Sequence, residues 1–161
     1  MKIAMGADHR GREVLSKLCD ALRAAGHVIE QMGPCDAKSC DFTDAAYPVG
    51  LSVSGGDYDR GILICGTGIG MSICANKIKG VRAALVHDEI GADMSRRHND
   101  SNVLCLSADM LGPRLIEKIV EVWLSTEFDG GRHARRVKKI AAIEEGNDPT
   151  TVVLEEDAPA A

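Results

Sequence analysis

Cys65 and the three glycines that follow it at alternate positions make the stretch of this chain best suited to chemistry, within RGILICGTGIGMSICANK. The apolar run Gly61 to Ile64 lacks alternation and is rich in isoleucine, which predicts a buried parallel strand. Gly66, Gly68 and Gly70 let the backbone turn sharply and approach a ligand, and from Ile69 the chain can continue as a helix ending near Asn76. A reactive sulfur then stands beside free peptide N–H groups and the positive end of a helix, surroundings that favour an anion, a thiolate included. The plainer alternative makes Cys65 a small buried hydrophobe in a strand-to-helix turn.

A second set lies near the end of the chain. Arg132 and Arg136 are four apart, so on a helix they share a face and can clasp one phosphate. Positive charge in a first helical turn is unfavourable unless something anionic offsets it. The bland reading is a solvated basic helix start. His98 reads by itself as a residue at a helix C-terminus, where a partly positive imidazole suits the dipole. His87 and His133 read as structural, and His27 has no role.

The 161 residues suffice for one domain with a real core. A net charge of −5 argues against nucleic acid or an anionic membrane as partner, so any anion is held by a local cluster. No apolar run reaches membrane-spanning length, MKIAMGADH reads as a strand and not a signal peptide, and the chain is read as cytoplasmic. The six cysteines contain no CxxC pair and sit mostly in apolar segments, which suits reduced thiols better than a disulfide framework or a zinc site. Cys35 and Cys40 lie five apart in a loop and could pair under oxidation. Aromatic residues make up only 3%, too few for a platform that stacks bases or a flavin.

Strands and helices alternate around these groups. Lys2 to Met5 is a strand ending at Gly6-Ala7-Asp8-His9, and Arg10 to Ala25 is a helix with Val14, Leu15, Leu18, Leu22 and Ala25 on one face. His27 to Met32 is a second strand and Gly33 to Asp44 a polar loop. An amphipathic helix runs to about Ser54, with Pro48 in its first turn or breaking it. After the central strand, Val81 to Val86 and Val103 to Leu106 are strands, while Asp88 to Arg97, Pro113 to Leu124 and a last segment ending near Glu144 are helices. Residues 1–145 form the domain, and the acidic 146–161 is a mobile tail or an arm on a partner.

This alternation predicts an α/β fold, a flavodoxin-like (Rossmann-like) three-layer sandwich. Its five-stranded parallel sheet has the order 2-1-3-4-5, and a C-terminal helix is added. The switch point between strands 1 and 3 puts Asp8, His9 and the Cys65 turn at one crevice. Helix Asp88 to Arg97 leads away from it by roughly 15 Å, so the groups after it, and Arg132 with Arg136, start from the opposite end. If they serve a crevice, it belongs to a second subunit, and a symmetric dimer would share two sites.

The stretches MGADHRG, ILICGTGIGMSICANK, SRRHNDSNVL and GGRHARRV, in that order, resemble the type B ribose-5-phosphate isomerase family, which includes the galactose-6-phosphate isomerase subunits. The resemblance runs from Met1 to about Glu145. It implies interconversion of an aldose phosphate and a ketose phosphate through a cis-enediol, with no metal and no cofactor. Cys65 would be the base moving the proton between C1 and C2. His98 would assist ring opening with Asp8, and Thr67 with the backbone of Gly66, Gly68, Ile69 and Gly70 would hold the enediolate oxygens. Asn99 would orient sugar oxygens, and His9, Arg132 and Arg136 would bind the phosphate. Members are dimers or tetramers with sites shared between subunits.

Many relatives carry an arginine where this chain has Asp109, and a Tyr-Pro pair where it has Phe42-Thr43. A carboxylate at 109 pointing inward would weaken phosphate binding, which leaves pentose, tetrose and hexose phosphates open as substrates. A low-molecular-weight phosphatase needs an arginine six positions after the cysteine, where Met71 stands. A non-catalytic flavodoxin-like sugar-phosphate sensor would not need Cys65.

Overall fold

In the computed structural model, which describes residues 1–34 and 39–152, the apolar runs become five parallel strands. In chain order the elements are β1 Lys2–Ala7, α1 Arg12–Ala24, β2 Val28–Gln31, α2 Phe42–Ser54, β3 Arg60–Cys65, α3 Ile69–Ala75 and β4 Ala83–Leu85. They continue as α4 Glu89–Asn99, β5 Val103–Ser107, α5 Pro113–Ser125 and α6 Arg132–Glu144, then a short 3-10 turn, Pro149–Thr151. Residues 153–161, most of the expected tail, lie outside the described residues, as does Cys35, and with it the pairing to Cys40 that oxidation could form. Cys65, Cys74 and Cys105 are free thiols. Among the described residues no helix is long and apolar enough to cross a membrane.

The fold class is as expected, but the sheet runs β2-β1-β3-β5-β4, not 2-1-3-4-5. All five residues of β5 are buried, whereas the three of β4 are half-buried. An inner strand must fill both faces of the sheet, which Val-Leu-Cys-Leu does and Ala-Ala-Leu does not. The short β4 therefore takes the edge, where brevity also limits stray strand pairing.

Chain direction across the sheet then decides which face each helix covers. Parallel crossovers are right-handed, so β1 to β2 and β4 to β5, which run one way, put α1 and α4 on one face. The crossovers β2 to β3 and β3 to β4 run the other way and put α2 and α3 opposite. The two cores agree with this. Leu15, Leu18 and Cys19 of α1, Ala92 of α4 and Ile116, Ile119 and Trp123 of α5 meet Ile3, Met5, Ile62, Ile64, Leu104 and Leu106. Ala45, Ala46 and Val49 of α2 with Met71 and Ala75 of α3 meet Ala4, Leu63, Val103 and Cys105. Full burial of each Leu, Ile, Val or Met side chain among these contributes roughly 1.5–3 kcal/mol.

Pro48 is a second correction: it is the seventh residue of α2 and the helix runs through it. It lacks the N–H that would reach the Asp44 carbonyl. Ala45, Ala46, Val49 and Val53 around it are buried, so packing overrides the local cost.

Candidate active site

At the crevice end, Cys65 closes β3 beside Ser107 of β5. The β5–α5 loop fastens the turn that follows. Ala108 N donates to Cys65 O at 2.9 Å and Asp109 N to Gly66 O at 3.1 Å, and Ser107 Oγ donates to Gly66 O at 2.6 Å. The chain then folds back so that Gly68 N donates to Cys65 Sγ at 3.0 Å. That bend places Gly68 at φ +75°, where a Cβ would also stand 2.6 Å from Leu85 Cδ1. Only glycine fits. A Cβ on Gly70 would meet the Phe42 ring at 2.9 Å, so the first residue of α2 lies flat against the turn.

Cys65 retains 5% of its surface, whereas Cys105 behind it retains none. Burial pushes the Cys105 thiol well above its ordinary value, and burial also raises Cys74. Neither is suited to act as a thiolate, and the amide-facing sulfur of Cys65 is the one presented at the turn.

Across the switch point, Asp8 follows the end of β1, with its N–H on Ile64 O at 3.1 Å. Its Oδ1 accepts from Arg10 N at 2.8 Å and Gly11 N at 3.1 Å, so the carboxylate organises the loop into α1. His9 is exposed, its Nδ1 3.3 Å from Cys40 O. Thr67 Oγ1 accepts from Ile69 N at 3.3 Å. Asp8, His9, Cys65, Gly66, Thr67, Gly68, Ile69 and Gly70 are thus gathered at one end of the sheet.

His98, Asn99, Arg132 and Arg136 gather at the other. Helix α4 ends at Asn99, just before Asn102, whose carbonyl accepts from Gly61 N at the start of β3. The length of β3, roughly 17 Å at about 3.3 Å per residue, separates this group from Cys65 of the same chain. His98 stacks on His133 with centroids 4.1 Å apart. Arg132 Nε donates to His133 Nε2 at 3.3 Å, and Arg136 Nη1 lies 3.5 Å from His133 Nδ1. Asp129 is gripped by Arg97 Nε, 3.2 Å from both carboxylate oxygens, a hydrogen bond that holds Asp129 below the usual carboxylate range. Burial first, then the charges of His98, Arg132 and Arg136, push His133 below the ordinary histidine value.

His98, Asp129 and His133 bring their ligand atoms within 4.8 Å of one another, a spacing that a metal ion could use. Both nitrogens of His133 already face guanidinium groups, however, and three arginines surround the cluster. That field suits an anion better than a cation.

Sequence reasoning missed Arg10, which pairs with Asp109 over the turn, and it set His133 aside. His133 sits between Arg132 and Arg136 after an aspartate, a charge-dense start to a helix that was the available signal. Arg96, beside His98 in sequence, is structural: it is 1% exposed and bound to Asp100 Oδ1 at 2.8 Å and Ser101 O at 2.6 Å.

Known proteins resemble this chain over most of its length. Ribose-5-phosphate isomerase B of Escherichia coli (strain K12) is 42% identical over 144 residues, covering 89% of this chain and 97% of that protein. The ribose-5-phosphate isomerase B structure from Clostridium thermocellum superposes with a TM-score of 0.89 at 44% identity, covering 91% of this chain and 99% of that one. The ribose-5-phosphate isomerase B structure from Mycoplasma genitalium with bound ribulose-5-phosphate superposes at 0.86 with 39% identity, covering 89% and 96%. The profile described as Ribose/Galactose Isomerase matches residues 3–140, from the first strand through the cysteine turn to Arg132 and Arg136 of the last helix. A chain that carries the fold, the turn and the distant basic cluster in one continuous match belongs to the ribose/galactose isomerase family.

Proposed function

We propose that this protein interconverts an aldose phosphate and a ketose phosphate at a site built from two copies of the chain. Ribose 5-phosphate and ribulose 5-phosphate are the first pair to test. The observation that carries the reading is the Cys65 sulfur at the tip of β3, 3.0 Å from the Gly68 amide and held by the β5–α5 loop.

The chemistry asks for a base, an oxyanion site and an anchor. His98 of a second copy, with Asp8, moves the ring-opening proton to free the carbonyl. The Cys65 thiolate takes the C2 proton; the C–H electrons form the C1–C2 double bond of a cis-enediolate, and the carbonyl oxygen gains the charge. Thr67 and the turn from Gly66 to Gly70 receive that oxygen, each donor being worth about 2.7–4 kcal/mol in such sites. Returning the proton from Cys65 to C1, with transfer of a hydroxyl proton between O2 and O1, completes the ketose. His9 from one copy with Arg132 and Arg136 from the other hold the phosphate, and the second copy's Asn99 orients sugar oxygens. The reaction uses no metal or cofactor, and the protein works as a homodimer or larger assembly in the cytoplasm.

One feature supports the two-copy form. The basic cluster has the charge for a phosphate, yet a whole sheet length separates it from its own Cys65. The solved relative with bound ribulose-5-phosphate, 39% identical across 89% of this chain, supports the sugar-phosphate reading.

The test follows solvent deuterium into C1 or C2 of aldose and ketose phosphates of four to six carbons. Exchange into at least one sugar, lost by about 10²–10⁴-fold in Cys65→Ala, is the expected outcome. Binding of several sugar phosphates with no exchange would make the protein a sensor instead.

A further inference from the structure

Arg10 and Asp109 stand ninety-nine residues apart in sequence and meet over the catalytic turn. Arg10 Nε lies 3.2 Å from both Asp109 oxygens, and Nη2 is 2.8 Å from Oδ1. A Cβ on Gly66, the residue after Cys65, would touch Asp109 Oδ2 at 2.9 Å and Arg10 Cγ at 3.7 Å. Both loops carrying the pair are tied down, Asp109 N to Gly66 O and Arg10 N to Asp8 Oδ1.

Stability does not account for this pair. Its side chains are 58% and 39% exposed, and ion pairs so exposed add little to folding. Its bonds use Nε and Nη2, and Nη1 has no partner among the described residues. One donor edge of a firmly aimed guanidinium is thereby left at the mouth of the crevice. The same mouth holds the Asp8 and Asp109 carboxylates, which would repel a dianionic ligand. A fixed positive charge is what such a ligand requires there, and Arg10 adjoins His9 in sequence.

We infer that Arg10 is a substrate-binding residue, aimed by Asp109, that takes the phosphate of the sugar from the same subunit that supplies Cys65. This rests on the sugar-phosphate reading above. It places a cationic anchor beside His9 on the Cys65 side of the cleft, in addition to the two arginines assigned to the second copy.

Arg10→Ala tests it, with KM and kcat measured on the sugar phosphate the native enzyme turns over and inorganic phosphate titrated by calorimetry. A tenfold or larger rise in KM, at least fivefold weaker phosphate binding and kcat within threefold are expected. In Arg10→Ala with Asp109→Arg, the guanidinium returns from the opposite loop, and at least half of the loss on a logarithmic scale is recovered. KM and phosphate binding within twofold of native would overturn the assignment. So would a double variant that stays at the level of Arg10→Ala, because the residue would then act through loop shape and not charge. If the native protein turns over no sugar phosphate, the isomerase reading fails separately, while phosphate calorimetry on both variants still decides the role of Arg10.

Discussion

His98 and His133, from separate helices, stack with their planes 2° from parallel and their centroids 4.1 Å apart. Two imidazoles at that distance cannot both be charged at low cost. The guanidinium groups of Arg132 and Arg136 facing His133 oppose its protonation further. His133 is therefore the neutral spacer of a cationic cluster, packed at 5% exposure beneath His98.

That arrangement predicts a pH-dependent stability. The folded value of His133 is depressed below its ordinary 6.5, so as pH falls through that value the unfolded chain takes up the proton first. Stability is complete above about 6.5 and is lost as pH falls toward the depressed folded value. Asp129 is also depressed, from 3.8, and its contribution disappears only at still lower pH. Melting temperature should fall between pH 7 and pH 5 in the native protein, and His133→Gln should remove most of that slope. An unchanged slope would assign the titration elsewhere.

Separation of the two clusters by the sheet makes the shared site testable by mixing chains. Cys65→Ala and His98→Asn should each be inactive alone. Unfolded together and refolded, half the dimers are mixed and each holds one intact site, so about a quarter of native activity should return. No recovery in a sample shown to contain mixed dimers would mean that Cys65 and His98 do not meet across two chains.

Gly68→Ala should strike structure and activity together. The substitution puts a Cβ at φ +75°, 2.6 Å from Leu85 Cδ1 and 3.0 Å from the Leu106 carbonyl carbon. A loss of about 1–3 kcal/mol in denaturant unfolding is expected, with kcat falling because the Gly68 amide is displaced from the Cys65 sulfur. Unchanged stability would mean that the turn has room to relax.

Local pattern carried much of the fold. The continuous burial of Ile62, Leu63 and Ile64, the face formed by Leu15, Leu18 and Leu22, and the glycine turn after Cys65 are all visible within a few residues. Each depends on periodicity or on backbone freedom that neighbours in sequence determine. Pro48 was harder, because its tolerance in α2 depends on the cores that Ala45, Ala46 and Val49 join.

What the amino-acid order determined on its own was therefore a five-strand α/β fold, a cysteine in an amide-rich turn, and a basic group too far along a helix to reach it. Tertiary structure decided that β5 and not β4 lies beside β3, since a strand's place depends on how well it fills both faces against elements distant in sequence. It also decided that His98 stacks on His133 and that Arg10 finds Asp109. Pairings of that kind arise where separate loops and helices converge, and no periodicity along the chain records them.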